Sequence, residues 1–273
     1  MKFSWIPAGD FLMGSNKGEP DEQPVHRVKL DKGFFMSHTE VTQAQYCAII
    51  GGNPSHFKGD NLPVDSVTWN ESVAFCKTLS LREGETYRLP AEAEWEYACR
   101  AWTSTQFGFG ESESNIDNYA WRYSNSGWQS HPTGTKKPNA FGLYDMHGNA
   151  WEWCADWYGK DYYSKSPELD PTGPVRGNLR VLRGGSWCRN ASFCRSANRD
   201  WYGPDHRNPS NGFRVVMSFS PRQPISVEES LHQQSAVNGN GLPGDIRCFV
   251  GSQKNDQIRY FCRLTKPAQW RLF

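Results

Sequence analysis

Asp145 and Glu152 lie within the block Gly142-Leu143-Tyr144-Asp145-Met146-His147-Gly148-Asn149-Ala150-Trp151-Glu152-Trp153. Their carboxylates, with the backbone carbonyls around Gly148 and Ala150, could surround one hard cation. Ca2+ accepts this mixture of carboxylate and backbone oxygens at loop positions. The plainer alternative is a turn in which Asp145 and Glu152 cap open backbone N–H groups. The eight cysteines (47, 76, 99, 154, 188, 194, 248 and 262) include no Cys-x-x-Cys pair, which argues against a zinc ribbon or a thioredoxin-like site. Cys47, Cys76 and Cys99 fall on helix-like segments and Cys154 follows a Trp-Glu-Trp run, so all four are expected as buried reduced thiols. The seven histidines show no metal-ligand spacing. The chain has no Gly-rich phosphate loop, serine nucleophile elbow or zinc-protease helix.

A second constellation stands out by contrast. The blocks Leu182–Trp187, Cys194–Arg199 and Gly212–Val216 are rich in Gly and Arg or apolar, as a scaffold requires. The runs between them hold Cys188, Arg189, Asn190, Phe193, Asp200, Tyr202, Gly203, His206, Asn208, Pro209, Ser210 and Asn211. None of these is Lys, Gln, Glu, Met or Trp, the types that a codon ending in a pyrimidine cannot encode. Asn codons with randomised adenines would give such a set, with Trp201 left as an invariant position. Loop positions tolerate substitution when their side chains face solvent and core neighbours hold the backbone. Arg189, Phe193, Trp201, Tyr202 and His206 are also residues of the binding type, since aromatics and Arg anchor interfaces. The bland alternative is an ordinary solvated loop.

Positioning these runs requires a scaffold. Residues 3–15 read as a short strand with a Gly turn, and alternating Val28, Leu30, Phe34 and Met36 predict a second strand from Val25 to Met36. Thr42-Gln43-Ala44-Gln45 is a capping box that opens a helix to about Ile50, where Gly51-Gly52 stops it. Asn70 is the expected N-cap of a second helix through about Arg82. Pro90 suits the first turn of a third, from Ala91 to about Ala101, with Glu92 and Glu94 complementing its dipole. Beyond residue 102, Gly, Asn, Ser, Trp and Pro predict long irregular connections, with short strands at Arg180–Arg183 and Gly212–Ser218. Residues 220–244 read as a linker, and Ile246–Val250 with Ile258–Leu264 as the two strands of a hairpin.

Composition agrees with a loop-rich fold. The chain of 273 residues carries 25 Gly and 17 Pro, and 12 Trp, 11 Tyr and 15 Phe must supply much of the core. A net charge of +1 with no charge run gives nucleic acid no footprint, and no apolar stretch approaches a membrane span. The N-terminus shows no signal-peptide apolar region, so the compartment stays open between the cytoplasm and, if the chain has been trimmed, surface display.

Ile6-Pro7-Ala8-Gly9 with Met13-Gly14-Ser15, Arg88-Leu89-Pro90 with Glu92-Ala93-Glu94-Trp95-Glu96-Tyr97-Ala98, the Gly142–Trp153 block and Arg183–Trp187 resemble the formylglycine-generating enzyme, or sulfatase-modifying factor, family. The resemblance covers Phe3 to Val216 and implies a C-type-lectin-like α+β fold with few regular elements and long loops. That places a domain at residues 1–219 and an extension of unknown structure at 220–273. Within the family, the alternation of fixed and unusual runs resembles the variable proteins of diversity-generating retroelements. This implies a non-enzymatic binding protein whose variable ligand is expected to be another protein. The family's calcium loop matches Asp145, Gly148, Ala150 and Glu152, and part of a second calcium loop resembles Asn118 with the Tyr119 carbonyl. The family's oxidases carry a copper-binding cysteine pair near Cys188 and Cys194. Thiolates suit Cu(I), and Ser186 would line such a site. Cys188 stands one residue early, however, with Arg189 in the first ligand's place, and the plainer alternative makes Cys194 a core thiol and Cys188 incidental. A copper-dependent oxidase acting on a target Cys is therefore the alternative expectation, and an accessory module a third.

Overall fold

The computed structural model describes residues 1–218. In chain order these form β1 (Phe3–Ile6), β2 (Gly9–Met13), β3 (His26–Leu30), β4 (Phe34–Ser37), α1 (Gln43–Ile50), α2 (Trp69–Glu83), β5 (Thr86–Arg88), α3 (Glu92–Arg100), β6 (Trp151–Trp157), β7 (Arg180–Arg183), β8 (Asp200–Tyr202), β9 (Asn211–Gly212) and β10 (Val216–Ser218). One sheet has the order β1-β4-β10-β5, β2 and β3 form a two-stranded sheet, and a third runs β8-β7-β6-β9. The α+β class with few elements and long loops is the fold expected from the sequence. The expected linker and hairpin beyond residue 219 lie outside the described residues.

The first expected strand divides in two. β1 pairs with β4 and β2 with β3, with Pro7 at the break where a ladder donor is missing. The second divides at Gly33, where a Cβ would come 2.3 Å from the Trp5 ring, so only glycine lets β1 and β4 close. The capping box of α1 forms as expected, and Gly51 ends the helix at φ 90°. α2 starts earlier than expected. Its N-cap is Thr68, whose side chain accepts from Glu71 N while Glu71 reaches back, a reciprocal pair that Asn70 cannot offer. α3 begins at Glu92 after an Ala91 N-cap, so Pro90 precedes the helix instead of opening it. β6 was not expected as a strand, because burial on both faces removes its alternation. The expected strand at 212–218 is two short ones in different sheets, β9 beside β6 and β10 between β4 and β5.

Aromatics fill the interior. Trp95 of α3 joins a core cluster with Ile6, Met36 and Val216 of the first sheet, while Phe75 of α2 joins a second with Tyr46 of α1, Trp151, Trp153 and Phe213. Each buried Trp withdraws on the order of 150–250 Å² from water. Two of the three indoles find a polar partner: Trp95 Nε1 donates to Glu152 at 2.6 Å and Trp153 Nε1 to the Val67 carbonyl at 3.0 Å, while Trp151 Nε1 is buried without one. Cys76, Cys99 and Cys154 are buried as expected, but Cys47 is half-buried, on the outer side of α1. Among the described residues no helix is long and apolar enough to cross a membrane.

Candidate functional site

The arginines of the fixed blocks all turn inward. Arg183 on β7 is fully buried and donates to Glu96 at 2.5 Å, to Glu92 at 3.3 Å and to the carbonyls of Ser196 and Ala197. Arg199 donates to both Glu92 oxygens, at 2.7 and 3.0 Å, and to the Asp21 carbonyl. Arg195 forks onto Glu22 at 2.7 and 2.6 Å. Arg214 forks onto Glu152 at 2.5 and 2.6 Å and reaches the carbonyls of Ser37 and Tyr144. Glu92 and Glu96 share the buried side of α3 because they stand one turn apart. Burial acts to raise the Glu92 pKa, but Arg199 and Arg183 outweigh it and hold this carboxyl below its ordinary value. The runs 188–193 and 200–211 are thus the intervals between buried ion pairs.

The second run has a further support. The N-terminal turn of α2 receives it: Trp69 N donates to the Pro204 carbonyl and Ser66 N to the Asn208 carbonyl. Arg207 forks onto Glu71 at 2.7 and 2.6 Å, and Asn70 donates to Asp205 at 2.6 Å. Pro204, Asp205 and Arg207 are all positions outside the unusual set.

On this frame Cys188, Arg189, Asn190, Phe193, Asp200, Tyr202, Gly203, His206, Asn208 and Pro209 are exposed or half-buried. Phe193 is 39% exposed and Trp201 is 42% exposed. The Arg189 guanidinium lies 5.2 Å from the Phe193 ring centre and 3.9 Å from Asp200 Oδ2. Tyr202 and His206 stack at 4.1 Å, and Trp201 leans on Tyr158 at 5.5 Å. Asp200 accepts the Trp201 N–H at 2.8 Å, and burial raises its carboxyl pKa. Ser210 and Asn211 depart from the expected exposed set. Both are buried, because the chain turns inward at Ser210 so that β9 can pair with Trp151 and Glu152.

The two cysteines expected near a copper site face different partners. Cys194 is fully buried beneath Gly185, where a Cβ would lie 2.6 Å from its sulfur. Its thiol donates to the Asn190 carbonyl at 3.5 Å, and burial pushes its pKa up to about 12. Cys188 is half-buried with its sulfur 3.4 Å from Ser186 Oγ. A Cu(I) pair needs two thiols that can deprotonate toward one point; here Cys194 is closed in beneath Gly185 while Cys188 stands nearer the surface beside Ser186.

The donors expected for calcium do not form one set of free oxygens either. Both Glu152 oxygens are engaged by Arg214 and Trp95. Asp145, at φ 61°, accepts the Gly134 N–H at 2.7 Å through Oδ2, while its buried Oδ1 has no partner. Gly148 and Ala150 are buried, and a Cβ on Gly148 would strike the Trp121 carbonyl at 2.3 Å. The Asn118 carbonyl accepts from Lys137 N, and the Tyr119 ring stacks on Phe109 at 4.3 Å. Among the described residues no three His, Cys, Asp or Glu side chains gather as a metal site. Glu40, which the sequence did not single out, is fully buried beside Asp145. Burial first, then Asp145 and Glu152, raise its pKa well above the ordinary value. Burial likewise moves Asp145 up to about 6.

The family model for the sulfatase-modifying factor enzyme 1-like domain matches residues 1–219, so the chain belongs to this family. It is similar to the formylglycine-generating enzyme of Streptomyces coelicolor, 30% identical over 77% of this chain and 87% of that protein. In structure it is similar to Treponema denticola variable protein 1, with TM-score 0.75, 32% identity and coverage of 79% of this chain and 94% of that one. PvdO from Pseudomonas aeruginosa is also similar, with TM-score 0.73, 31% identity and coverage of 80% and 94%. The resemblance to a variable protein, read first from alternating fixed and unusual runs, is thereby borne out.

Proposed function

We propose that this protein is a non-enzymatic binding protein that displays a diversified, lectin-like surface through Cys188–Pro209, and that its ligand is another protein. The observation that carries the reading is the division of labour along residues 183–214. Every fixed arginine of that stretch except Arg207 closes a buried ion pair, while the interspersed positions of pyrimidine-only composition turn outward as far as Pro209. Such a frame lets side chains change without unfolding the domain. Similarity to a protein named for its variability supports it. The test is to replace the exposed positions from Cys188 to Pro209 together with other residues that pyrimidine-ending codons allow. Most clones are expected to unfold cooperatively within a few degrees of the native chain and to differ in the ligands they bind. Widespread loss of folding, or one unchanged ligand across all clones, sinks the reading.

The alternative is a copper-dependent oxidase that converts a target Cys to formylglycine. Cys188 and Cys194 would hold Cu(I) and Ser186 would line the site. Its support is the 30% identity to a formylglycine-generating enzyme. Against it stand the full burial of Cys194 beneath Gly185 and the position of Cys188, one residue early with Arg189 in the first ligand's place. Titrating the reduced protein with Cu(I) against a competing chelator, with Cys188→Ser as control, separates the two. Tight one-to-one binding lost in the control favours the oxidase.

A further inference from the structure

The loop from Tyr119 to His131 lies outside the unusual runs and carries no ion-pair anchor of the kind described above except Arg122 on Asp117. It presents two large rings. Tyr123 is 47% exposed and Trp128 is 61% exposed, and the rings meet edge to face at 4.9 Å. Trp128 holds φ +65° directly after Gly127 at φ +62°. A bulky side chain in the left-handed region is uncommon and costs energy, so it persists only where neighbours over-determine it. Here they do. Ser126 Oγ accepts the Trp128 N–H at 3.2 Å and donates to the Trp187 carbonyl at 2.8 Å. His131 Nε2 lies 2.7 Å from the Ser126 carbonyl, and Asn125 receives the Arg122 N–H at 2.8 Å.

The same bonds tie the loop to the displayed surface. Tyr123 N donates to the carbonyl of Arg189, itself one of the exposed unusual positions, at 3.0 Å. The Trp187 carbonyl that Ser126 engages directly precedes Cys188. The two rings therefore adjoin the 188–190 end of the displayed runs, while Trp201 stands in the later run, on the edge strand β8. Rings left this exposed gain only part of the burial that folding could give them, yet this pair is held out by backbone strain and a hydrogen-bonded loop.

We propose that Tyr123 and Trp128 are a constant aromatic anchor for the protein ligand of the displayed runs, an inference that rests on the display reading above. Large rings give wide contact area at low conformational cost, and aromatic residues carry much of the energy at protein interfaces. A fixed pair beside changeable positions supplies affinity that every variant shares, while the changeable positions choose the partner. The occupant it fits is a protein surface that offers an apolar or guanidinium side chain to the rings.

The test uses two display libraries of the full chain. Both carry pyrimidine-ending codons at the exposed positions from Cys188 to Pro209. One keeps Tyr123 and Trp128, and the other has Tyr123→Ser with Trp128→Asn, since Asn tolerates the left-handed backbone. Both are selected against purified lysozyme, ferritin and serum albumin. The library with the rings is expected to yield binders about tenfold more often, in line with hot-spot aromatics. Within each binder, Trp128→Asn is expected to weaken binding about tenfold with melting temperature unchanged, and Tyr123→Phe, which keeps the ring, to leave it intact. Equal yields from both libraries, with affinities unchanged by Trp128→Asn, overturn the anchor but leave display standing. Folded libraries that yield no binder in either arm sink display itself, and the anchor with it.

Discussion

In the Gly142–Trp153 block the polar side chains turn inward. Asp145, His147, Asn149 and Glu152 are all buried, and each works for the fold. His147 donates from Nδ1 to the Cys194 carbonyl at 2.8 Å and accepts the Gly108 N–H at Nε2, while burial lowers its pKa to about 4. In the runs from Cys188 to Pro209 the polar and aromatic side chains turn outward and bond mostly to nothing deeper than their own loops. Sequence chemistry looks richer in the first block, with two carboxylates and a histidine in one stretch. The structure spends that chemistry on holding the backbone, and the exposed side chains belong to the second block. Residue type suggests what a group can do, but burial and partners decide what it does.

The comparison breaks most sharply at the buried ion pairs. Arg199→Leu leaves Glu92 with less compensation in the interior, and loss of one partner of a buried pair costs about 3–5 kcal/mol. For a domain of this size that lowers the melting temperature by about 10 °C. A shift of a degree or two in thermal unfolding would show that Arg199 does not pin the display region. Asn211→Ala should come next, at about 1–3 kcal/mol, because truncating a fully buried side chain leaves a void and removes its Oδ1 contact to Ser210 Oγ at 3.3 Å. Asn190→Ala, on the exposed side of the same set, should stay within about 0.5 kcal/mol in denaturant unfolding. Similar costs for the two asparagines would erase the distinction between inward and outward positions.

pH sharpens the same contrast. Burial, reinforced by Glu92, raises the Asp156 carboxyl to about 8 in the folded protein. The folded state therefore holds a proton that the unfolded chain gives up near its ordinary value. This contributes stability that is fully present below the unfolded pKa and is lost as pH rises toward about 8. Glu92 runs the other way: its depressed pKa contributes stability above the unfolded value, which is lost as pH falls through the folded one. Unfolding of Asp156→Asn followed from pH 5 to 8 should show a flatter decline than the native chain, and an unchanged slope would refute the assignment. The smallest expected effect is that of chelator. With Glu152 held by Arg214, removal of divalent cations should leave the melting temperature within about a degree. A larger fall restored by Ca2+ would show that Asp145 takes a cation after all.

Much of the scaffold was legible where local chemistry decides it. The Thr42 capping box reads directly, and so does the Gly51 stop. The second cap was misplaced because Asn70 and Thr68 are both good cap residues, and only the reciprocal bond with Glu71 distinguishes them. β6 was missed because Trp151-Glu152-Trp153-Cys154 is buried on both faces, which leaves no alternation to read. Glu92 and Glu96 could have been found from their spacing of one helical turn beside Trp95, since two acids on an apolar face call for buried cations.

By itself the sequence determined the family, the α+β class, two of the helix boundaries and the unusual composition of the runs after Trp187. Those follow from motifs, capping bonds and codon sets, all of which are local. Only the tertiary structure decided that Asn208 faces out while Asn211 faces in, that Gly185 closes over the Cys194 sulfur, and that Glu152 belongs to Arg214. Each of these depends on what a distant segment places beside the residue: β6 against β9, Gly185 over the Cys194 sulfur, and Arg214 across the core. Contacts between residues so far apart in sequence leave no periodic trace along the chain, so their outcome is written in the packing alone.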